Sequence, residues 1–297
     1  MYGDGKRRGV PSPSFCELLR LPKCHDSKAA LRVRKTRYAF LAAIEEGAQS
    51  VAAVCLEEHV HPAGLTVRFA ALDLALGGEV KMALQHIVDA MSSISLDHDA
   101  QIRVEYLFDL IIKLHFRRLL ARLRSNKWEK PKYLSKQHKK PLWQDFTNLT
   151  HRVQFLYTKK EASLRRSVEG QLQSLAPHYE TFEASESGSQ GELQSLKELI
   201  KASYECCKSK EVAEFAKRLE DSPSTTPTAK IASAIKCLRQ VEKIAAYWRM
   251  ALSLVDTARN YSSLFQTRPQ LTFLTPYKSV PTAIGTQMRL TSFTALE

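Results

Sequence analysis

No C-x-x-C pair occurs among the six cysteines of this chain, Cys16, Cys24, Cys55, Cys206, Cys207 and Cys237. In 297 residues that pattern argues against a disulfide framework, and the thiols read as reduced, mostly buried small side chains. Long apolar runs are missing as well. The longest, "YLFDLIIKLHF" from Tyr106 to Phe116, is interrupted by Asp109 and Lys113 and is too short to span a bilayer. The opening "MYGDGKRRGVPSPS" is basic but leads into no apolar stretch, so no secretory signal is expected there. The expectation is a soluble intracellular protein, cytoplasmic or nuclear, with no membrane partner. Neither G-x-x-x-x-G-K-[ST], G-x-G-x-x-G nor G-x-S-x-G is found, so a phosphate cradle and a nucleophile elbow have no support.

What is present is ordinary globular composition, 44% apolar and 25% charged, with charge laid down in blocks. Residues 1–40 hold ten Lys/Arg and three Asp/Glu, and 41–110 hold three and eleven. Residues 111–170 hold sixteen and four, 171–221 six and ten, and 222–297 nine and three. Alternating blocks can neutralise one another internally, so the net charge of +13 does not by itself name an anionic partner.

Periodicity predicts a mainly α-helical protein, a multi-helix bundle of about seven helices with one small β-hairpin. Residues 1–27 read as a flexible basic N-terminus and 28–265 as the helical domain. Near 51–70, two β-branched runs flank a His-Pro-Ala-Gly turn, with Leu65, Val67 and Phe69 on one face and Thr66 and Arg68 on the other. Asp97 or Asp99 can cap a long helix whose first half is apolar on nearly every side and whose second half is a cationic end. Leu142, Phe146, Leu149, Val153 and Leu156, then Leu164, Val168, Leu172 and Leu175, form a stripe that predicts one long amphipathic helix. A linker is expected at 221–228. The stripe from Ile231 through Leu238, Val241, Ala245 and Trp248 to Val255 predicts another long helix, and 266–297 an irregular tail.

Four constellations could carry chemistry. "EEHVHPAG" gathers Glu57, Glu58, His59 and His61, but zinc wants three or four supported ligands, and polar residues at a hairpin turn need no metal. Cys16, Cys24 and His25 lack a fourth partner. "HYE" at His178–Glu180 has the form of half a zinc-deaminase signature, yet Cys206 and Cys207 are adjacent and point about 100° apart on a helix. The basic run at 117–143 is the fullest. Its cations are Arg117, Arg118, Arg122, Arg124, Lys127 and Lys130, followed by Lys132, Lys136, Lys139 and Lys140. Trp128, Tyr133 and Trp143 interleave with them. Such a run can neutralise phosphates and stack bases, or it can be an irregular helix connection with docked aromatics and a solvated surface.

Several stretches resemble a group of filamentous-fungal proteins in which a helical region precedes a C-terminal cytidine-deaminase-like domain. They are "VAAVCLEE…GLTVRFA", "KWEKPKYLSKQHKKPLW", "VQFLYTKKEASLRRSVEGQLQSLAPHYETFE" and "VEKIAAYWRMALSLVDTAR" leading into "YKSVPTAIG". The resemblance implies that "YKSVPTAIG" approaches a zinc-binding H-A-E helix. After Gly285, however, the sequence continues "TQMRLTSFTALE", with neither H-x-E nor P-C-x-x-C. The expectation is therefore a shortened relative without catalytic residues, metal or cofactor. It would act as a non-catalytic scaffold or interaction module with a protein partner; nucleic-acid binding through 117–143 is the alternative.

Overall fold

The structure, a computed structural model, describes residues 37–44, 52–71, 77–94, 99–130, 132, 140–146, 149–221 and 228–274. The N-terminal segment 1–27, Tyr133, Lys136, Lys139, most of the 221–228 linker and the run from "YKSVPTAIG" onward lie outside the described residues. The protein is mainly α-helical, as its periodicity predicts. Where one helical domain is expected over 28–265, the chain divides into two compact units. One, here the α/β unit, comprises Cys24–Gln137 with Ala246–Glu297; the other, the α unit, includes His138–Ala245.

In the α/β unit, strands β1 (Ala52–Val60) and β2 (Ala63–Ala71) form the predicted hairpin, antiparallel with Glu57 opposite Thr66. Period-two alternation sends Leu65, Val67 and Phe69 into the core while Arg68 stays on the outer face. A third strand, β3 (Gln270–Leu274), lies within the first part of the tail expected to be irregular over 266–297, whose residues 275–297 are outside the described ones. It runs parallel to β2 on the side away from β1, and its Phe273 stacks on Phe69 with ring centres 5.4 Å apart. Gly64 suits its place because a Cβ there would come within 2.9 Å of Thr267 Oγ1, which hydrogen-bonds the Ala63 carbonyl.

Helices α1 (Gly78–Ile94) and α2 (Ala100–Leu123) pack together in the same unit. Asp99 caps α2 by accepting from the Ile102 N–H, and the helix stops at Arg124, whose left-handed backbone (φ 52°) turns its N–H back onto the Ala121 carbonyl. The apolar first half of α2 enters the core at Val104, Leu107, Phe108, Ile111 and Ile112, as expected, but burial continues into the cationic end. The first half exposes Ile102 and Tyr106, whereas Leu119, Leu120, Ala121, Arg122 and Leu123 at the cationic end are buried.

The α unit holds the short helices α3 (Trp143–Phe146) and α4 (Leu149–Arg152), then α5 (Ala162–Gln173), α6 (Ala176–Ala184), α7 (Gln190–Lys208) and α8 (Lys210–Glu220). Helix α9 (Thr228–Asn260) belongs to the α unit as far as Ala245 and to the α/β unit beyond it, where α10 (Ser262–Phe265) follows. The stripe at 142–175 is buried at Leu142, Phe146, Leu149, Val153, Val168, Leu172 and Leu175, yet it is not one helix. Thr158 is extended, and the Glu161 carboxylate accepts from both its N–H (2.9 Å) and its Oγ1–H (2.8 Å), starting a new helix there. Pro177 sits in the first turn of α6, where its missing N–H costs nothing. No helix among the described residues is long and apolar enough to cross a membrane.

Ser209 ends α7 and begins α8, its hydroxyl accepting from the Val212 N–H at 3.1 Å. Removing that acceptor in Ser209→Ala is expected to lower stability by about 1 kcal/mol in denaturant melts, with Ser209→Asn close to the unaltered chain.

Candidate functional sites

The basic run at 117–143 is sorted by its surroundings into side chains that build the protein and side chains that face water. Arg117 is exposed on α2. The next residue, Arg118, donates to the Ala43 carbonyl. Arg122 is only 7% exposed, its guanidinium lying 5.6 Å from the Tyr247 ring centre and 6.0 Å from that of Phe40. Both are therefore structural cations, held in place by a carbonyl and by aromatic faces. Arg124 is half-buried in its left-handed cap. Lys127 and Trp128 are half-buried in the turn that Ser125 organises, accepting from the Lys127 N–H through Oγ and from the Trp128 N–H through its carbonyl. Lys130 and Lys132 are exposed. In the α unit, Lys140 pairs with Asp145 at 2.7 Å, and Arg152 approaches the same carboxylate at 3.7 Å. Trp143 opens α3, half-buried. Among the described members of the candidate set, Arg117, Lys130 and Lys132 are the ones turned out to solvent.

The basic run also leads to a group that composition does not announce. His115 is fully buried on α2, with its ring 5.5 Å from Phe40 and 5.4 Å from Tyr247. Neither ring nitrogen has a hydrogen-bond partner of ordinary geometry. Burial above all, then the Arg118 and Arg122 cations, push its pKa down to about 3, against a weak opposing pull from the Leu41 carbonyl. The imidazole is neutral at physiological pH. Its signal lies in helical phase: Phe108, Ile111, His115, Leu119 and Arg122 recur at three- and four-residue steps on the buried side of α2.

The remaining candidates are engaged in packing. His59 Nε2 lies 2.8 Å from Thr66 Oγ1, and Glu57 accepts both ends of the Arg68 guanidinium at 2.7 and 2.9 Å, which holds its carboxyl below the usual range. No three His, Cys, Asp or Glu side chains among the described residues are placed to hold a metal ion. Cys206 and Cys207 are buried on α7, and burial pushes the Cys206 thiol up to about 12. Tyr179, the centre of the "HYE" triplet, is buried with its hydroxyl 3.2 Å from Ser203 Oγ. Tyr157 stacks on Phe215 beneath Arg218, which also binds Glu161 at 2.8 Å and Glu214 at 3.2 Å. Burial raises the Tyr157 hydroxyl to about 12 despite the Arg218 cation.

One open face is not announced by the apolar stripe, which only fixes the side of the helix turned inward. Helix α5 buries Val168 and Leu172, and its opposite side exposes Lys159, Lys160, Ser163, Arg166, Ser167 and Gly170. Comparison with protein-family models, curated proteins and solved structures found no match for this chain.

His115 carries a pH signature with a definite sign. Its folded pKa of about 3 lies below the 6.5 of an ordinary histidine, so the unfolded chain binds the extra proton between these values and stability falls as pH drops through that window. From pH 7 to pH 5 this one group is expected to remove about 2 kcal/mol of stability. A His115→Phe variant, melted in denaturant at both pH values, should lose about that much less than the unaltered chain. Parallel losses in the two proteins would contradict the assignment.

Proposed function

We propose that this chain is a non-catalytic helical interaction module, shaped to bind rather than to turn over a substrate. The observation that carries this reading is the engagement of its most perturbed groups. His115 is sealed between Phe40 and Tyr247, the Cys206 thiol is held protonated by burial, and Glu161 is tied to Thr158 and Arg218. A general base or nucleophile needs access to its substrate, and these groups serve helix packing and capping instead. The amphipathic stripes at 142–175 and 231–255 supply core rather than a partner surface, so binding falls to what faces solvent. Kinship with fungal deaminase-like proteins is part of the proposal and rests on the phrases quoted above. The test is chemical. Purified full-length chain is expected to release no ammonia from cytidine, adenosine or single-stranded nucleic acid, and to carry no stoichiometric zinc by elemental analysis. Ammonia release that disappears in His178→Ala would overturn the reading.

The second reading, nucleic-acid binding through residues 117–143, is favoured by one observation: Arg117, Lys130 and Lys132 are exposed within that segment. Replacing all three by alanine should weaken low-salt binding of single-stranded RNA by about tenfold while leaving the melting temperature unchanged. Undiminished binding in that variant removes the segment from consideration.

A further inference from the structure

We propose that the outer face of α5, with its 3₁₀ lead-in, is a binding surface for single-stranded nucleic acid, separate from the 117–143 segment. A turn of 3₁₀ helix at Lys159–Glu161 runs straight into α5. At about 100° per residue, Arg166, Lys159, Gly170, Ser163, Ser167 and Lys160 fall within a sector of roughly 120°. All six are exposed. The sector holds three cations, two hydroxyls and an open glycine, and neither a carboxylate nor an apolar side chain. Lys159, Lys160 and Arg166 form no ion pair with other described residues. The one acid in the lead-in, Glu161, is turned to the other side, held by Thr158 and Arg218. Glu169, on the flank, accepts from Gln173.

The chemistry of this face selects its occupant. From Lys159 to Arg166 the cations extend about 10 Å along the axis, a row suited to successive phosphates rather than to a single anion. Serine hydroxyls and the absence of a side chain at Gly170 let a sugar-phosphate backbone lie close. Four residues before Lys159, Phe155 on the preceding 3₁₀ turn is 42% exposed, an aromatic surface on which an unpaired base can stack. A membrane surface fits less well. Amphipathic membrane helices insert their apolar side, and here that side, Val168 and Leu172, is the interior of the α unit.

The experiment uses the full chain and a fluorescein-labelled oligo(U) of about a dozen nucleotides, titrated at several salt concentrations between about 50 and 200 mM. Binding is expected with a slope of log affinity against log salt near −2, the value for about three phosphates neutralised on a single strand. Lys159→Ala/Lys160→Ala/Arg166→Ala should weaken binding about tenfold or more and flatten that slope. The charge-conserving Lys159→Arg/Lys160→Arg/Arg166→Lys variant should retain both. Phe155→Ala should weaken binding by about tenfold with the slope unchanged. Three results overturn the proposal: no binding at the lowest salt; binding indifferent to the α5 substitutions but lost when Arg117, Lys130 and Lys132 are replaced; or uptake by phosphatidylserine vesicles without uptake of oligo(U). The second of these leaves the 117–143 reading standing and removes this one alone.

Discussion

The α/β unit is organised around a cation that cannot be discharged and a base that burial keeps neutral at physiological pH. Arg122 lies against the rings of Phe40 and Tyr247, and His115 packs against the same two rings two turns earlier on α2. A guanidinium stays protonated in any protein environment, and the two aromatic faces beside Arg122 take up part of the place that water would fill. The imidazole on the same helix is held neutral first by its burial and then by the positive charges of Arg118 and Arg122. This arrangement ties α2, residues 37–42 and the last turns of α9 together. Around it, Arg37 reaches the Ser253 carbonyl and Thr257 from the side, and Arg118 reaches the Ala43 carbonyl. Phe108 and Trp248 add an edge-to-face pair at 4.8 Å.

That constraint also decides which positive charges are available for anything else. By composition the cations of α2 look alike. Arg118 and Arg122 are anchored by the phase of the helix, whereas Arg117 emerges into water. The same sorting operates in the α unit. There Lys140 and Arg152 converge on Asp145 and Arg218 bridges Glu161 and Glu214, while Lys159, Lys160 and Arg166 remain on the surface. A formal charge of +13 therefore says less about recognition than the handful of cations that no carboxylate or ring claims.

How much of this was legible depends on how local each determinant is. The hairpin and its inward Leu65, Val67 and Phe69 could be read because alternation within one strand declares its buried face. Helical content followed from period alone. Strand β3 could not be assigned to a sheet, since its partner β2 lies some two hundred positions earlier and parallel pairing leaves no mark on the intervening chain. In the 142–175 stripe the sequence spoke truly about burial and misled about continuity. Apolar spacing persists across a break, and the break is made by a competition at Thr158 that a carboxylate three residues on wins. His115 and Arg122 sit in phase with apolar neighbours on α2, so their burial could have been inferred. Residue type obscured it, because polar side chains are usually assigned to the surface.

The order of units along the chain has a consequence for how the protein is made. The α unit's His138–Ala245 is an insertion between the two stretches that build the α/β unit. During synthesis the inserted stretch emerges complete while its host still lacks β3, the strand that covers the free edge of β2. Domains generally fold as units as they leave the ribosome, and contacts between distant positions form last. For the interval in which residues up to 274 are being added, the nascent α/β unit therefore presents an unpaired strand edge with Phe69 uncovered, the form in which such a chain is most exposed to mispairing and most in need of a chaperone.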